Sequence, residues 1–406
     1  MEVNEPRAKY LSSHELQPTE IGPLPMDWSV STVGDEFHVQ LGKMLDTENN
    51  VGVPKPFLGN RAVQWGRVDV SDIGEIRMSP SDLQRYRLAN GDLLVCEGGE
   101  VGRSAIWRDQ LEECYYQKAL HRLRAKRGYS HDLMAAVLEQ FARSGKLQNY
   151  VTQTSIAHLP KEKFVALPIP MPATKDEQRW ISQAIGDADA LIDSLEQLLA
   201  KKRQIKQGAM QELLTGKRRL PGFDGGWTMA KIAALESRGI LELSRGKVIS
   251  KKSIAGNPGE YPIYSSSVHN NGLFGCYGSF MFDEELITWS VDGGGDFFHR
   301  PRHKFSVTNV CGYMRVREGI SCKFLAMQLQ QQHSTKSFDY QTKAHPSVVR
   351  AEYSVQLPEL SEQTAIAQVL SDMDADIAAT EARLSKARDL KQAMAQALLT
   401  GRVRLV

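Results

Sequence analysis

The stretch KQGAMQELLTGKRRL, Lys206–Leu220, returns near the end of the chain as KQAMAQALLTGRVRL, Lys391–Leu405. The match extends backwards without a gap to Glu177 and Glu362, with about half of all positions identical. Among them are Glu177/Glu362, Gln178/Gln363, Asp187/Asp372, Asp189/Asp374 and Lys206/Lys391. A repeat this long decides the architecture before any local signal does. Each copy is nearly free of Gly and Pro until Gly216 or Gly401, where a left-handed glycine closes a helix. In the first copy Ile181, Ile185, Ala188, Ile192, Leu195 and Leu199 alternate four- and three-residue steps, the spacing of a heptad seam. The second repeats it with Ile366, Leu370, Met373, Ile377, Thr380 and Leu384. Both patterns loosen near Lys202 and Ala387 and are expected to resume at Ile205/Leu390, Ala209/Met394 and Leu213/Leu398. A helix of about 38 residues spans roughly 57 Å, and an apolar stripe that long needs a partner.

Charge indicates the partner. Asp187, Asp189, Asp193 and Glu196 precede Lys201, Lys202, Arg203 and Lys206; Asp372, Asp374, Asp376 and Glu381 precede Lys386, Arg388 and Lys391. Acid first and base last suits each helix's own dipole. It also suits antiparallel pairing of the two copies, which sets each acidic half against a basic half.

Outside the helices the repeat is fainter. Trp28, in LPMDWSVSTVGD, matches Trp227, in LPGFDGGWTMAKI, and LGKM at Leu41–Met44 matches RGKV at Arg245–Val248. Each flank carries a glycine-rich string after an apolar run, GDLLVCEGGEVGRSAIW (Gly91–Trp107) and ELITWSVDGGGDFF (Glu285–Phe298). Strand-like runs start at Gln117 and Thr308, and the related patches QTSIAHLP (Gln153–Pro160) and QTKAHPSV (Gln341–Val348) follow. The fold class is therefore α+β: two mixed α/β domains joined and separated by two long helices that form an antiparallel coiled coil, a pseudo-twofold internal repeat. The expected boundaries are a loosely ordered tail at 1–22, a domain at 23–165, a helix at 166–218, a domain at 219–350 and a helix at 351–406. With 406 residues, the chain is long enough for this plan.

Composition excludes several classes. No apolar run approaches the ~18 residues of a membrane span, and the polar N-terminus carries no secretory h-region. The five cysteines lack C-x-x-C spacing, so each is expected to be a small buried hydrophobe in a reducing cytoplasm. A net charge of +2 is silent about nucleic acid, because binding uses a local patch.

Domain–helix–domain–helix, with LP…EQ…I entering each helix and LLTG closing it, resembles the specificity (S) subunit of type I restriction–modification systems. FLGNRAVQWGRVD (Phe57–Asp69) and GDLLVCEGGEVGR strengthen the resemblance, which covers nearly all the chain after the tail. It implies that each domain is a target-recognition domain reading one half of a bipartite, asymmetric site in double-stranded DNA, while the helices set the unread spacer. It further implies docking of two methyltransferase subunits and two motor–nuclease subunits, giving an adenine methyltransferase and ATP-dependent endonuclease active in phage defence. S-adenosylmethionine, ATP and Mg²⁺ would then belong to those partners, with no cofactor or metal in this chain. Half-sites one duplex turn apart, ~34 Å, fit within the expected helix length.

Direct inspection agrees with a non-catalytic role. The sequence has no P-loop, no H-E-x-x-H, no G-x-S-x-G and no Asn/Asp-Pro-Pro-Tyr string. The histidines show no metal-ligand spacing, and His158 and His345, in matching patches, are expected to share a structural role. Phosphates call for Lys and Arg, base edges for Arg, Lys, Asn, Gln and Ser. The resulting candidate contacts in the first domain are Lys43, Arg61, Gln64, Arg67, Arg85, Arg87, Arg103, Gln153 and Thr154. In the second they are Lys247, Ser265, Ser266, His269, Asn270, Asn271, Arg300, Arg302, Lys304, Gln341, Thr342 and Lys343. The alternative is a coiled-coil scaffold whose flanking domains bind protein and read no DNA.

Overall fold

The repeated stretches form two of the four helices that organise the chain: α1 (His131–Arg143), α2 (Lys175–Leu213), α3 (Cys322–His333) and α4 (Leu360–Leu399). The computed structural model describes residues 7–45, 51–153, 157–266, 269–291, 296–336 and 344–405. It divides into two compact units, one running to Leu195 and including Arg383 onward, the other Glu196–Ala382. Each unit thus holds one domain, one half of α2 and one half of α4.

In the first unit Ile181 and Ile185 of α2 lie in one core with Leu398 and Leu399 of α4, and Lys391 pairs with Asp189 at 2.7 Å. In the second, Leu213 of α2 and Leu214 just after it pack with Ile366 and Leu370 of α4, and Lys202, Arg203 and Lys206 pair with Asp376, Glu381 and Asp374. Ascending α2 numbers meet descending α4 numbers, so the pairing is antiparallel in both units. Lys206–Asp374 and Lys391–Asp189 are the same contact made by equivalent residues. Burying each seam Leu or Ile contributes about 2 kcal/mol, whereas the exposed ion pairs add little beyond register.

The structure corrects one expectation about the seam. Ile205 and Leu390 are exposed at 53% and 60%. The heptad does not loosen; it continues from Leu199 through Lys202, Lys206 and Ala209 to Leu213, and from Leu384 through Ala387, Lys391 and Met394 to Leu398. All of these are buried or half-buried. The lysines lay their methylene stems along the seam and reach carboxylates at its rim, which polarity-based reading misses.

In the first domain β1 (Phe37–Leu41), β2 (Val53–Leu58), β3 (Gly74–Met78), β4 (Leu93–Cys96), β5 (Ser104–Ile106), β6 (Tyr115–Tyr116) and β7 (Leu120–Ala125) form two sheets, β5-β4-β7-β1 and β6-β2-β3. In the second, β8 (Leu241–Arg245), β9 (Tyr261–Tyr264), β10 (Leu273–Tyr277), β11 (Phe282–Ser290), β12 (Phe297–Val307) and β13 (Cys311–Val316) form a single sheet, β8-β13-β11-β12-β9-β10. The paths match. The parallel pair β12/β9 corresponds to β6/β2, and the long β12 does the work that β5 and β6 share around the break at Trp107–Cys114. Helices α1 and α3 cover equivalent sheet faces, each capped by a serine hydroxyl, Ser130 or Ser321.

The repeated Glu-Gln pair has a visible purpose. Glu177 accepts from Trp28 Nε1 at 3.0 Å and from Arg404; Glu362 accepts from Trp227 Nε1 at 3.3 Å and from Arg219. Gln178 and Gln363 receive the backbone N–H groups of Ser130 and Ser321. Gly216 and Gly401 adopt φ of +70° and +64° beside Trp227 and Trp28, where a Cβ would meet the ring or its neighbour Pro25. Each helix end is therefore keyed to the tryptophan that opens a domain.

The tail expectation also changes. Ala8–Tyr10 pairs antiparallel with Val403–Leu405, and Leu16–Gln17 pairs with Leu24–Pro25. Before the helices, Pro168–Met171 and Ser354–Leu357 are strands, paired with Ser29–Thr32 and Thr228–Lys231.

Candidate nucleic-acid interface

Each domain presents loops from a sheet frame. That frame is fixed by the two Gly-Lys pairs. Gly42 N–H donates to Leu120 O and Lys43 N–H to Tyr116 O; Gly246 and Lys247 donate likewise to Cys311 O and Val307 O. A Cβ at Gly42 or Gly246 would strike the facing backbone, so only glycine permits the approach. The faint LGKM/RGKV match thus marks one backbone junction made twice.

In the first domain Asn60 is the centre of a loop cluster. Arg103 donates to its carbonyl at 2.9 Å, and Asn60 donates to Gly98 O at 2.9 Å. The adjoining hairpin Val63–Gln64/Arg67–Val68 turns on Gly66 at φ +73°. Arg61 and Arg67 are exposed there, with Gln64 donating to the Arg61 carbonyl. Gly98 bridges to His158, bringing the strand pair Thr152–Gln153/Ala157–His158 beside the same glycine-rich turn. This turn, with Gly99 and Gly102 in the left-handed region, follows a fully buried strand. Arg61, Gln64, Arg67, Arg103 and Gln153 therefore share one loop cluster. Arg103 holds it from within: its side chain is 15% exposed, and its Nε is buried without a partner.

Lys43, Arg85 and Arg87 lie elsewhere in the domain. The Lys43 ammonium pairs with Asp82 at 2.8 Å, on the short helix Pro80–Tyr86, whose last turn carries Arg85 and whose C-cap is Arg87. Both arginine side chains are exposed, while their carbonyls accept from Arg122. Arg122 is itself buried, and burial pulls its pKa down. Thr154, Gln341, Thr342 and Lys343 lie outside the described residues, as do the side chains of Gln153 and His269.

In the second domain Arg300 requires correction. It is 5% exposed, with Nε donating to Thr288 Oγ1 at 2.9 Å and Nη2 to Asn271 O at 2.6 Å. Its guanidinium lies 3.7 Å from the Tyr264 ring centroid and 4.6 Å from that of Phe298. Burial lowers its pKa. Arg300 is thus a positioning residue. It holds the backbone where Asn270 and Asn271 adopt φ of 49° and 52°, conformations costly for any residue but glycine and least so for asparagine. Both asparagine side chains are exposed. Ser265 closes the loop base, its N–H donating to Gly272 O and its hydroxyl accepting from Thr308; Ser266 is half-buried.

Arg302, Lys304 and Lys247 are exposed. Arg302 stands only 3.5 Å from Asp283, and Lys304 lies over the Phe280 ring at 4.9 Å. Pro301 withholds a ladder hydrogen bond, and the β11/β12 register shifts between the pairs Glu284/His303 and Leu286/Arg300, at Arg302. His158 and His345 do not share a role: the former packs on Gly98, whereas His345 caps the helix Pro346–Glu352.

These loops offer exposed donors and acceptors of the kinds that phosphates and base edges accept. The family model described as type I restriction modification DNA specificity domain matches residues 25–207 and again 233–387. One curated type I specificity subunit of Mycoplasma pneumoniae is 36% identical over 139 residues, 33% of this chain and 45% of that protein. The specificity subunit of the type I restriction enzyme MpnII, from the same organism, is 35% identical over 136 residues, 32% of this chain and 40% of its own. The matched stretches thus span less than half of either relative. The crystal structure of a type I restriction–modification S subunit from M. genitalium superposes with a TM-score of 0.59 over 91% of this chain and 96% of that one, at 13% identity, a likeness of fold. The chain belongs to the specificity-subunit family of type I restriction–modification systems, and carries its DNA specificity domain twice.

Proposed function

We propose that this chain is the sequence-specific DNA-binding subunit of a type I restriction–modification complex. Each domain reads one half of a bipartite, asymmetric site, and the paired helices set the unread gap. Two methyltransferase subunits dock on the duplicated helical surface, and two motor–nuclease subunits complete the complex. Chemistry resides in those partners, with their S-adenosylmethionine, ATP and Mg²⁺, while this chain targets it.

One observation carries the reading: the frame is built twice with the same joints, Trp28–Glu177–Arg404 and Trp227–Glu362–Arg219, while the loops it presents differ. Duplicated joints suit two equivalent partners, and divergent loops suit an unsymmetrical target. The residues proposed to face DNA are Arg61, Gln64, Arg67, Arg85, Arg87, Lys247, Asn270, Asn271, Arg302 and Lys304, with Arg103 and Arg300 supporting the loops. Each lysine or arginine that meets a phosphate contributes about 0.9 to the slope of log affinity against log salt. Arg302→Ala and Lys304→Ala should reduce that slope accordingly.

The test is a genome-wide map of methylated adenine in cells carrying this chain and its neighbouring methyltransferase, against cells lacking the chain. A new motif of two short half-sites around a fixed gap is expected. A stable complex that produces no motif would favour the scaffold reading.

A further inference from the structure

Three side chains far apart in sequence converge under the N-terminus of α3. Glu285 lies on β11, His299 on β12, and Cys322 is the first residue of α3; one ligand atom from each lies within 4.8 Å of the others. Among the described residues no other group of three His, Cys, Asp or Glu side chains meets this condition. Sheet register explains the meeting. Ile287 pairs with His299 and packs in the core containing Cys322 and Leu325. Glu285, two residues before Ile287, points to that same face. Leu286 pairs with Arg300, so the guanidinium that supports the Asn270–Asn271 loop projects from the opposite face.

The donor set is one carboxylate, one imidazole and one thiol, all ordinary ligands of a tetrahedral zinc-class cation. His299 Nε2 and Glu285 Oε1 already lie 2.6 Å apart, and the Glu285 side chain is half exposed, leaving one side open to water. Cys322 is buried, and both that burial and the Glu285 charge raise its thiol pKa. A dication here would offset the charge of Glu285 and of the thiolate that binding creates.

We propose that Glu285, His299 and Cys322 form a binding site for one zinc-class divalent cation, with water as fourth ligand. On binding, the thiol proton leaves to solvent and sulfur bonds the metal as thiolate. His299 gives up the Nε2–H hydrogen bond to Glu285: that proton passes through solvent to Nδ1, and the freed Nε2 lone pair binds the cation. Ligands from two strands and a helix would tie the start of α3 to the β11–β12 pair, making the stability of this domain metal-dependent. The inference rests on this geometry and is independent of the reading of DNA.

The experiment strips the purified full-length chain with chelator, then titrates it with Zn²⁺ and, separately, Co²⁺. One Zn²⁺ per chain is expected, as is a near-ultraviolet sulfur-to-cobalt absorption band. Cys322→Ser should abolish that band and weaken Zn²⁺ binding at least tenfold. His299→Gln and Glu285→Gln should each weaken it, whereas Cys276→Ser, at an exposed cysteine, should change neither signal. Thermal unfolding in chelator shows whether a variant is folded; should Cys322→Ser fail to fold, His299→Gln and Glu285→Gln decide. Sub-stoichiometric zinc, no cobalt band, or variants that bind like the unaltered chain would overturn the site.

Discussion

The two domains solve one packing problem with different residues. In the first, Val95 on β4 faces His121 on β7; in the second, the equivalent pair is Trp289 on β11 and Gly312 on β13. The large ring stands on β7 in one case and on β11, the counterpart of β4, in the other, each time opposite a smaller partner. The ring's polar job is the same. His121 Nε2 donates to Leu159 O at 2.9 Å, and Trp289 Nε1 donates to Ala344 O at 2.8 Å. Leu159 and Ala344 each immediately precede the N-cap of a short helix. What is preserved is the summed volume and one N–H aimed at one carbonyl, not any residue identity. Domains under such rules can diverge widely in sequence while their attachments to the helices stay fixed.

Removing the shared joint should have the largest effect. Glu177→Ala would leave Arg404, whose side chain is 9% exposed, without its buried partner, and should destabilise the first unit by about 4 kcal/mol. Glu362→Ala should cost the second unit less, because Arg219 is 26% exposed and can regain water. Thermal unfolding with hydrogen exchange would assign each loss to its unit. Equal losses from both variants would show that burial of the arginine does not set the cost.

Acidification should separate the domains next. Burial lowers the His121 pKa to about 4 from its usual 6.5, and its Nδ1 is buried without a partner. The unfolded chain therefore binds the extra proton first, so stability present above pH 6.5 is lost as pH falls towards 4. That loss amounts to about 3 kcal/mol. Trp289 does not titrate, so the second unit should lack this component. Hydrogen exchange at pH 7 and pH 4.5 reads the difference, and His121→Gln should flatten it.

A smaller effect is expected from Gly312→Ala, whose Cβ would meet the Trp289 ring and destabilise the second unit by about 2 kcal/mol. Combining it with Trp289→Val should recover part of that loss, since the pair is the unit of packing. At the low end, Ile205→Lys and Leu390→Lys should change stability by no more than about 0.5 kcal/mol, because both residues lie off the seam. Losses of several kcal/mol there would mean that the heptad runs through them after all.

Much of this protein was legible in its residues alone. Matching Glu-Gln entries, LLTG exits and opposed charge blocks determine two long antiparallel helices, because helix periodicity and dipole charge are local properties written every few residues. The family resemblance followed from the same strings. Sequence reasoning faltered where a side chain's role depends on what faces it. The seam read as loosening near Lys202 and Ala387 and resuming at Ile205 and Leu390, yet Lys202, Lys206 and Lys391 continue it, since a lysine stem is apolar and only its tip is charged. Arg300 read as a surface cation yet lies between two rings beneath the loop it holds. Glu285, His299 and Cys322 carry no recognisable spacing; strand register and one helix start bring them together. Tertiary structure decided these points because burial and partnership arise from register between distant segments, which no single stretch of sequence records.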